Sequence, residues 1–145
     1  MILISHRGNT EGINKDKENT ESYINNALYL GFNVEIDVWY INNKFWLGHN
    51  KPISEISKNF LSNKNFWIHC KNIEALIFLK NEYNCFFHTK EDYVLTSTGY
   101  IWTYTGVKLY DNVIAVLPEN YNYKYNALKQ CVGICSDNIL FYKNF

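Results

Sequence analysis

The sequence predicts an α/β domain built on a mainly parallel sheet. Short apolar runs alternate with polar or helical stretches along the chain, as βα units require. All four histidines lie in or at the ends of such runs, where strand ends in α/β sheets carry ligand sites.

The elements follow in order. Ile2–Ser5 is an apolar run that leads into a polar loop. Residues 19–30 read as a helix, with Thr20 as N-cap, Tyr23, Ala27 and Leu30 on one face, and Gly31 as the stop. Asn33–Val38 is a strand, Asn42-Asn43 a turn, and Lys44–Gly48 a returning strand. Apolar residues at helical spacing predict a short helix over 53–61. Phe66–Cys70 is a strand, 73–82 a helix and 85–88 a strand. Tyr100–Tyr104 follows a polar Thr-Ser-Thr-Gly stretch as a strand, with Tyr100, Trp102 and Tyr104 on one face turned to the core. Pro118 closes a strand over 113–117, a helix covers 123–130, and 132–135 is the last strand. No repeat and no Gly-, Pro- or Ser-rich linker interrupts residues 1–145, so one domain is expected.

Composition excludes several functions. Fourteen basic and fourteen acidic residues cancel, which speaks against bulk electrostatic binding of nucleic acid. No apolar run reaches the ~18 residues of a membrane span, and MILISHRGN lacks a signal-peptide layout, so a cytoplasmic protein is expected. Cys70, Cys85, Cys131 and Cys135 form no C-x-x-C pair and read as small core residues.

The chemistry concentrates in a few positions. Glu35 and Asp37 lie two apart on a strand, so their carboxylates share a face while Val34, Ile36 and Val38 take the other. Such a pair repels itself unless a hard cation such as Mg²⁺ or Ca²⁺ offsets the charge. On that basis, replacing Asp37 by Asn should relieve repulsion in the metal-free protein. Lys outnumbers Arg thirteen to one, so the single Arg7, between His6 and Gly8, stands out. Its guanidinium fork suits a phosphate or a carboxylate, and the glycine would admit a close ligand. Lys71 lies two beyond His69 and adds a cation for a phosphoryl group.

The ordered set His6-Arg7-Gly8, Glu18-Asn19-Thr20, Glu35-Ile36-Asp37 and Gly48-His49-Asn50 resembles the glycerophosphodiester phosphodiesterase family. In that family H-R-G, E-N-T, E-x-D and H-D follow in this order at similar spacings. Residues 133–138, GICSDN, are similar to its last-strand motif. The resemblance implies a TIM-type (β/α) barrel acting on a small-molecule phosphodiester with a divalent cation. At 145 residues that barrel must be trimmed or incomplete, with outer helices shortened or missing. It implies His6 and His49 as the acid/base pair, Arg7 and Lys71 as phosphate contacts, and Glu35 and Asp37 as metal ligands. The family's third ligand is the Glu of E-x-K. Here the position is His69, which weakens a hard-cation site or shifts it toward a metal that accepts imidazole; Mg²⁺ or Ca²⁺ stays the leading expectation with Mn²⁺ or Zn²⁺ as alternatives, and metal affinity is predicted to fall below about pH 6.5. Asn50 replaces the acid of H-D, and Glu119 is the next candidate ligand. Rival readings are a barrel that binds a phosphorylated ligand without turnover, a phospholipid-directed lyase and a plain metal-binding module.

Overall fold

The computed structural model describes residues 1–145. Ten strands are β1 Ile2–His6, β2 Asn33–Ile41, β3 Lys44–Leu47, β4 Ser54–Ile56, β5 Phe66–Cys70, β6 Cys85–Phe86, β7 Tyr93–Leu95, β8 Ile101–Thr103, β9 Val113–Val116 and β10 Gly133–Ser136. Three α-helices, α1 Glu21–Tyr29, α2 Ile73–Leu79 and α3 Tyr125–Lys129, accompany them. The mixed α/β architecture agrees with the alternating pattern. None of the helices is long and apolar enough to cross a membrane.

All strands belong to one sheet. Parallel pairing runs β6-β5-β2-β1-β10-β9-β8, so the first and last strands are neighbours. β3 and β4 continue β2 as an antiparallel excursion, and β7 lies antiparallel to β8. The β2–β3 turn places Asn42 and Asn43 at φ 52° and 62°, left-handed values that Asn tolerates and a two-residue hairpin demands.

Strand alternation separates two environments. Val34, Ile36 and Val38 of β2 take one face of the sheet and are buried with Phe66, Ile68 and Cys70 of β5 beneath Ile24 and Ala27 of α1 and Ala75 and Leu79 of α2. On the opposite face Ile4, Trp67, Phe86, Trp102, Ile114, Val116 and Cys135 meet in one cluster drawn from six parallel strands. Glu35 and Asp37 point to that second face, at its rim. A further cluster joins β9 and β10 to α3 and the C-terminal turn through Val113, Ala115, Leu128, Ile134 and Ile139.

Local chemistry explains the helix starts. Asn72 caps α2, its Oδ1 accepting from the Ala75 N–H at 3.3 Å while its amide also pairs with both backbone groups of Tyr40. Thr20 does occupy the N-cap of α1, but its hydroxyl donates to the Lys17 carbonyl instead of accepting a capping bond.

Several expectations need correction. The helix expected over 53–61 is replaced by β4 and a single 3₁₀ turn at Phe60–Ser62. The free edge of β3 offers backbone partners that bury Ile56 against Phe45, whereas Ile53, its supposed helical companion, is exposed. Spacing alone does not separate these outcomes. β7 was not expected from the sequence, and only Trp102 of the expected aromatic trio is fully in the core, with Tyr104 exposed. Gly8, at φ 90°, makes room for the protein itself: a Cβ there would lie 2.9 Å from Tyr23 of α1. All four cysteines are buried and free, as expected.

Gly48 is the most demanding glycine. At φ 144° an added Cβ would fall 2.1 Å from the Lys51 carbonyl oxygen. Gly48→Ala is expected to cost about 1–3 kcal/mol in urea denaturation and to displace the adjacent His49.

Candidate functional site

Sheet register assembles the site. β1 and β2 place His6 beside Glu35, and β2 and β5 place Asp37 beside His69. Parallel neighbours in register turn their side chains to the same face, so four functional groups meet without any loop. Arg7 follows β1 with φ 54°, a left-handed conformation that sends its guanidinium back over β2. There Nε lies 3.0 Å from Asp37 Oδ2, Nη1 donates to Glu18 at 3.2 Å, and Nη2 lies 3.3 Å from His49 Nε2. His49 arrives from the end of β3, with Nδ1 3.2 Å from Asp37 Oδ2. Lys71 Nζ is 3.3 Å from Asp37 Oδ1. All seven residues singled out from the sequence therefore converge.

The two candidate acid/base histidines are each oriented by a carboxylate. His6 Nδ1 is 2.7 Å from Asp137 Oδ1, an acceptor-only partner, so Nδ1 carries the proton. Its Nε2 is then left free of the proton and lies 3.8 Å from Glu35. Arg7 can only donate, so His49 Nε2 accepts and its Nδ1–H faces Asp37. The Lys71 ammonium, 3.5 Å from the same Nδ1, is then a close neighbour and not a hydrogen-bond partner.

Three supporting residues complete the site. Asn19 grips Asp37 twice: its Nδ2 donates to Oδ2 at 2.9 Å, and its Oδ1 accepts the Asp37 backbone N–H at 3.0 Å. Asn9 donates to both Asp137 and Glu18. Glu119 accepts from the Ser136 hydroxyl and the Asp137 backbone N–H, which makes it a brace for Asp137; it is not in the cluster of possible metal ligands. His88, the fourth histidine, stacks on His69 with ring centres 4.5 Å apart.

Electrostatics split the carboxylate pair. Burial and the charge of Asp37 push Glu35 up to about 7. Burial pushes Asp37 in the same direction, but contacts from His49 and His69 and the charge of Arg7 outweigh it and hold Asp37 well below the usual range. One carboxylate is firmly ionised while the other shares a proton near neutrality. Burial pulls His6 down, and the Asp137 hydrogen bond with the Glu35 charge more than reverses this. For His69 burial wins over Asp37, leaving a neutral imidazole at pH 7. Burial with the charges of His69 and Lys71 lowers His88 to about 4.

Glu35, Asp37 and His69 form a group that could hold a cation. Their ligand atoms all lie within 4.8 Å of one another, and all three are buried. Asp37 Oδ1 is the telling atom. His69 Nδ1 lies 2.9 Å away and Lys71 Nζ 3.3 Å, yet neither is aligned to hydrogen-bond with it. A buried carboxylate oxygen without a hydrogen bond is costly and is satisfied by a cation. Two carboxylates plus one imidazole suit Mn²⁺ or Zn²⁺ and tolerate Mg²⁺.

The cleft above has two lobes that share His6, Arg7, His49 and Leu117. One, about 230 Å³, is walled by His69, His88, Trp102 and Tyr104. The other, about 530 Å³, is polar, with Lys15, Lys51 and Asn120 in its wall. Leu117, at φ 46°, is a strained non-glycine residue held between them.

Asn9, Asn19, Asp137 and His88 were not assigned site roles from the sequence. Asn19 and Asp137 lie inside Glu18-Asn19-Thr20 and residues 133–138, and membership of those two motifs is the signal the sequence offers for them. No protein-family model, curated protein or solved structure matches this chain.

Proposed function

We propose that this protein is a metal-dependent phosphodiesterase acting on a glycerophosphodiester-like small molecule, on a trimmed (β/α) barrel. The observation that carries this reading is the placement of two carboxylate-oriented imidazoles, His6 and His49, against one Glu–Asp–His ligand triad and one guanidinium. The resemblance of the ordered motifs to the glycerophosphodiester phosphodiesterases supports it. The barrel reading draws on strand order: the two ends of the parallel array, β6 and β8, approach each other, with Phe86 and Trp102 stacked at 4.5 Å and the Ser97 N–H donating to the Cys85 carbonyl. Loops take the place of most outer helices. Four free buried cysteines suit a cytoplasmic location.

Glu35, Asp37 and His69 would hold the ion, which when bound supplies Lewis-acid stabilisation of phosphoryl charge. Arg7 binds a non-bridging oxygen, and doing so draws Nη2 away from His49 and frees Nε2. One imidazole takes the proton of the attacking oxygen, from water or a neighbouring substrate hydroxyl, and the other protonates the leaving alkoxide. Asp137 and Asp37 hold the two rings in the tautomers that present Nε2.

A second reading, binding of a phosphorylated ligand without turnover, has one specific support. Arg7, His49, His69 and Lys71 surround Asp37, so its charge is balanced by the chain alone. Hydrolysis of bis(p-nitrophenyl) phosphate and glycerophosphodiesters after chelation and metal return separates the two. Metal-restored turnover is expected; phosphate binding without turnover favours the second reading.

Metal affinity has an expected pH dependence. Because His69 titrates below its usual range and Glu35 near 7, Glu35 and not His69 sets it. Protons and metal compete for the Glu35 carboxylate, so affinity is level above about pH 7 and falls roughly tenfold per unit below it. Calorimetric titration of Mn²⁺ from about pH 5.5 to 8 checks this, and Glu35→Gln should flatten the slope along with weakening binding.

A further inference from the structure

Lys71 is not placed as the phosphate contact that its position two beyond His69 suggests. Its amine does not wall either lobe of the cleft, although a phosphate contact would have to reach one. It is folded onto Asp37 Oδ1 at 3.3 Å, with only 14% of its side chain exposed. That oxygen is the same atom that the ligand triad would present to a metal.

Resting on the metal-site reading above, we propose that Lys71 is a resident cation that a divalent metal evicts from Asp37, and that eviction delivers its amine to the substrate phosphate. An ion bound to Oδ1 at the usual 2.0–2.6 Å and an ammonium 3.3 Å from the same oxygen would be less than about 6 Å apart. Inside a buried cluster such like charges are poorly screened, so the ion disfavours the resting position of the ammonium. Asp37 also lacks a spare oxygen for Lys71, since Oδ2 is already taken by Asn19, His49 and Arg7. The lysine stem has four rotatable carbons and can swing past His49, 3.5 Å away, toward the cleft. Metal and phosphate then bind cooperatively, and by linkage each raises the affinity of the other by the same factor.

The inference separates Lys71 from a simple phosphate contact, because a simple contact leaves metal affinity in the absence of phosphate unchanged. The test is Mn²⁺ titration of the full chain by calorimetry and electron paramagnetic resonance, with and without inorganic phosphate. Lys71→Met is expected to bind Mn²⁺ at least about tenfold more tightly than the wild type without phosphate, while Lys71→Arg, which keeps the charge, gains nothing. Phosphate should enhance Mn²⁺ affinity less in Lys71→Met than in the wild type. Lys71→Gln serves if the Met variant fails to fold. Wild-type Mn²⁺ binding that Lys71→Met and Lys71→Gln leave unchanged or weaken overturns the inference and spares the metal site. Absence of Mn²⁺ binding in the wild type and in every variant overturns the metal-site reading and this inference with it.

Discussion

Asp37→Asn is expected to lose divalent-metal binding and, in the metal-free protein, to destabilise the fold by about 3–5 kcal/mol. The sign reverses the expectation drawn from two like charges on one strand. Asp37 is fully buried and faces Arg7, Lys71, His49 and His69 within 3.3 Å. Removing its charge leaves Lys71 without a carboxylate partner and Arg7 with Glu18 alone in a buried cluster, which costs more than the relieved repulsion with Glu35 returns. The repulsion falls on Glu35, whose carboxyl is the one pushed up, to about 7. A buried acid with a raised value opposes folding as pH rises through the ordinary carboxylate range, and the penalty is complete above about 7. Glu35→Gln should therefore match or exceed the wild type in stability above that pH without metal, while also losing metal affinity. Urea denaturation of both variants at pH 8 after chelation checks the pair. Equal destabilisation by the two substitutions would remove the electrostatic division between them.

Asp137→Asn is expected to lower kcat by about 10²–10⁴-fold with a small change in KM. Asp137 touches the proposed chemistry only through His6, whose Nδ1 it holds at 2.7 Å, and it is itself anchored by Asn9 and by Glu119 bound to its backbone N–H. An amide in its place can offer an N–H to Nδ1 and so favour the wrong tautomer. The Asp137 hydrogen bond also holds His6 above its usual range, so the imidazole of the variant should titrate lower in nuclear magnetic resonance. A loss of activity with unchanged His6 titration would place the role of Asp137 elsewhere. Glu119→Gln, one step further out, should act in the same direction and more weakly, because it holds Asp137 only through a backbone N–H and Ser136.

The convergence of these groups was legible in the sequence because it is built on strands. An alternation as clear as Val34-Glu35-Ile36-Asp37-Val38 fixes which side chains share a face, and β1, β2 and β5 carry six of the seven site residues on them or just past their ends. The excursion after β3 was not legible. Ile53, Ile56 and Leu61 satisfy helical spacing as well as they satisfy β4 followed by a turn, and the backbone partners offered by β3 decided between them. The double grip of Asn19 on Asp37 and the hold of Asp137 on His6 span 18 and 131 positions of chain, so no local spacing reports them. The same is true of Lys71. Its place two beyond His69 suggested a phosphate contact, but its pairing with Asp37 depends on which rotamer a long side chain takes in a crowded site.

The most direct measurement is ³¹P nuclear magnetic resonance of a glycerophosphodiester incubated with chelated protein, with protein reloaded with Mn²⁺ or Mg²⁺, and with reloaded His6→Ala and His49→Ala. The expected result is conversion of the diester resonance to a monoester or cyclic phosphate with reloaded wild-type protein alone. Conversion that survives chelation, or that persists in both histidine variants, would contradict a metal-assisted, two-histidine phosphodiesterase.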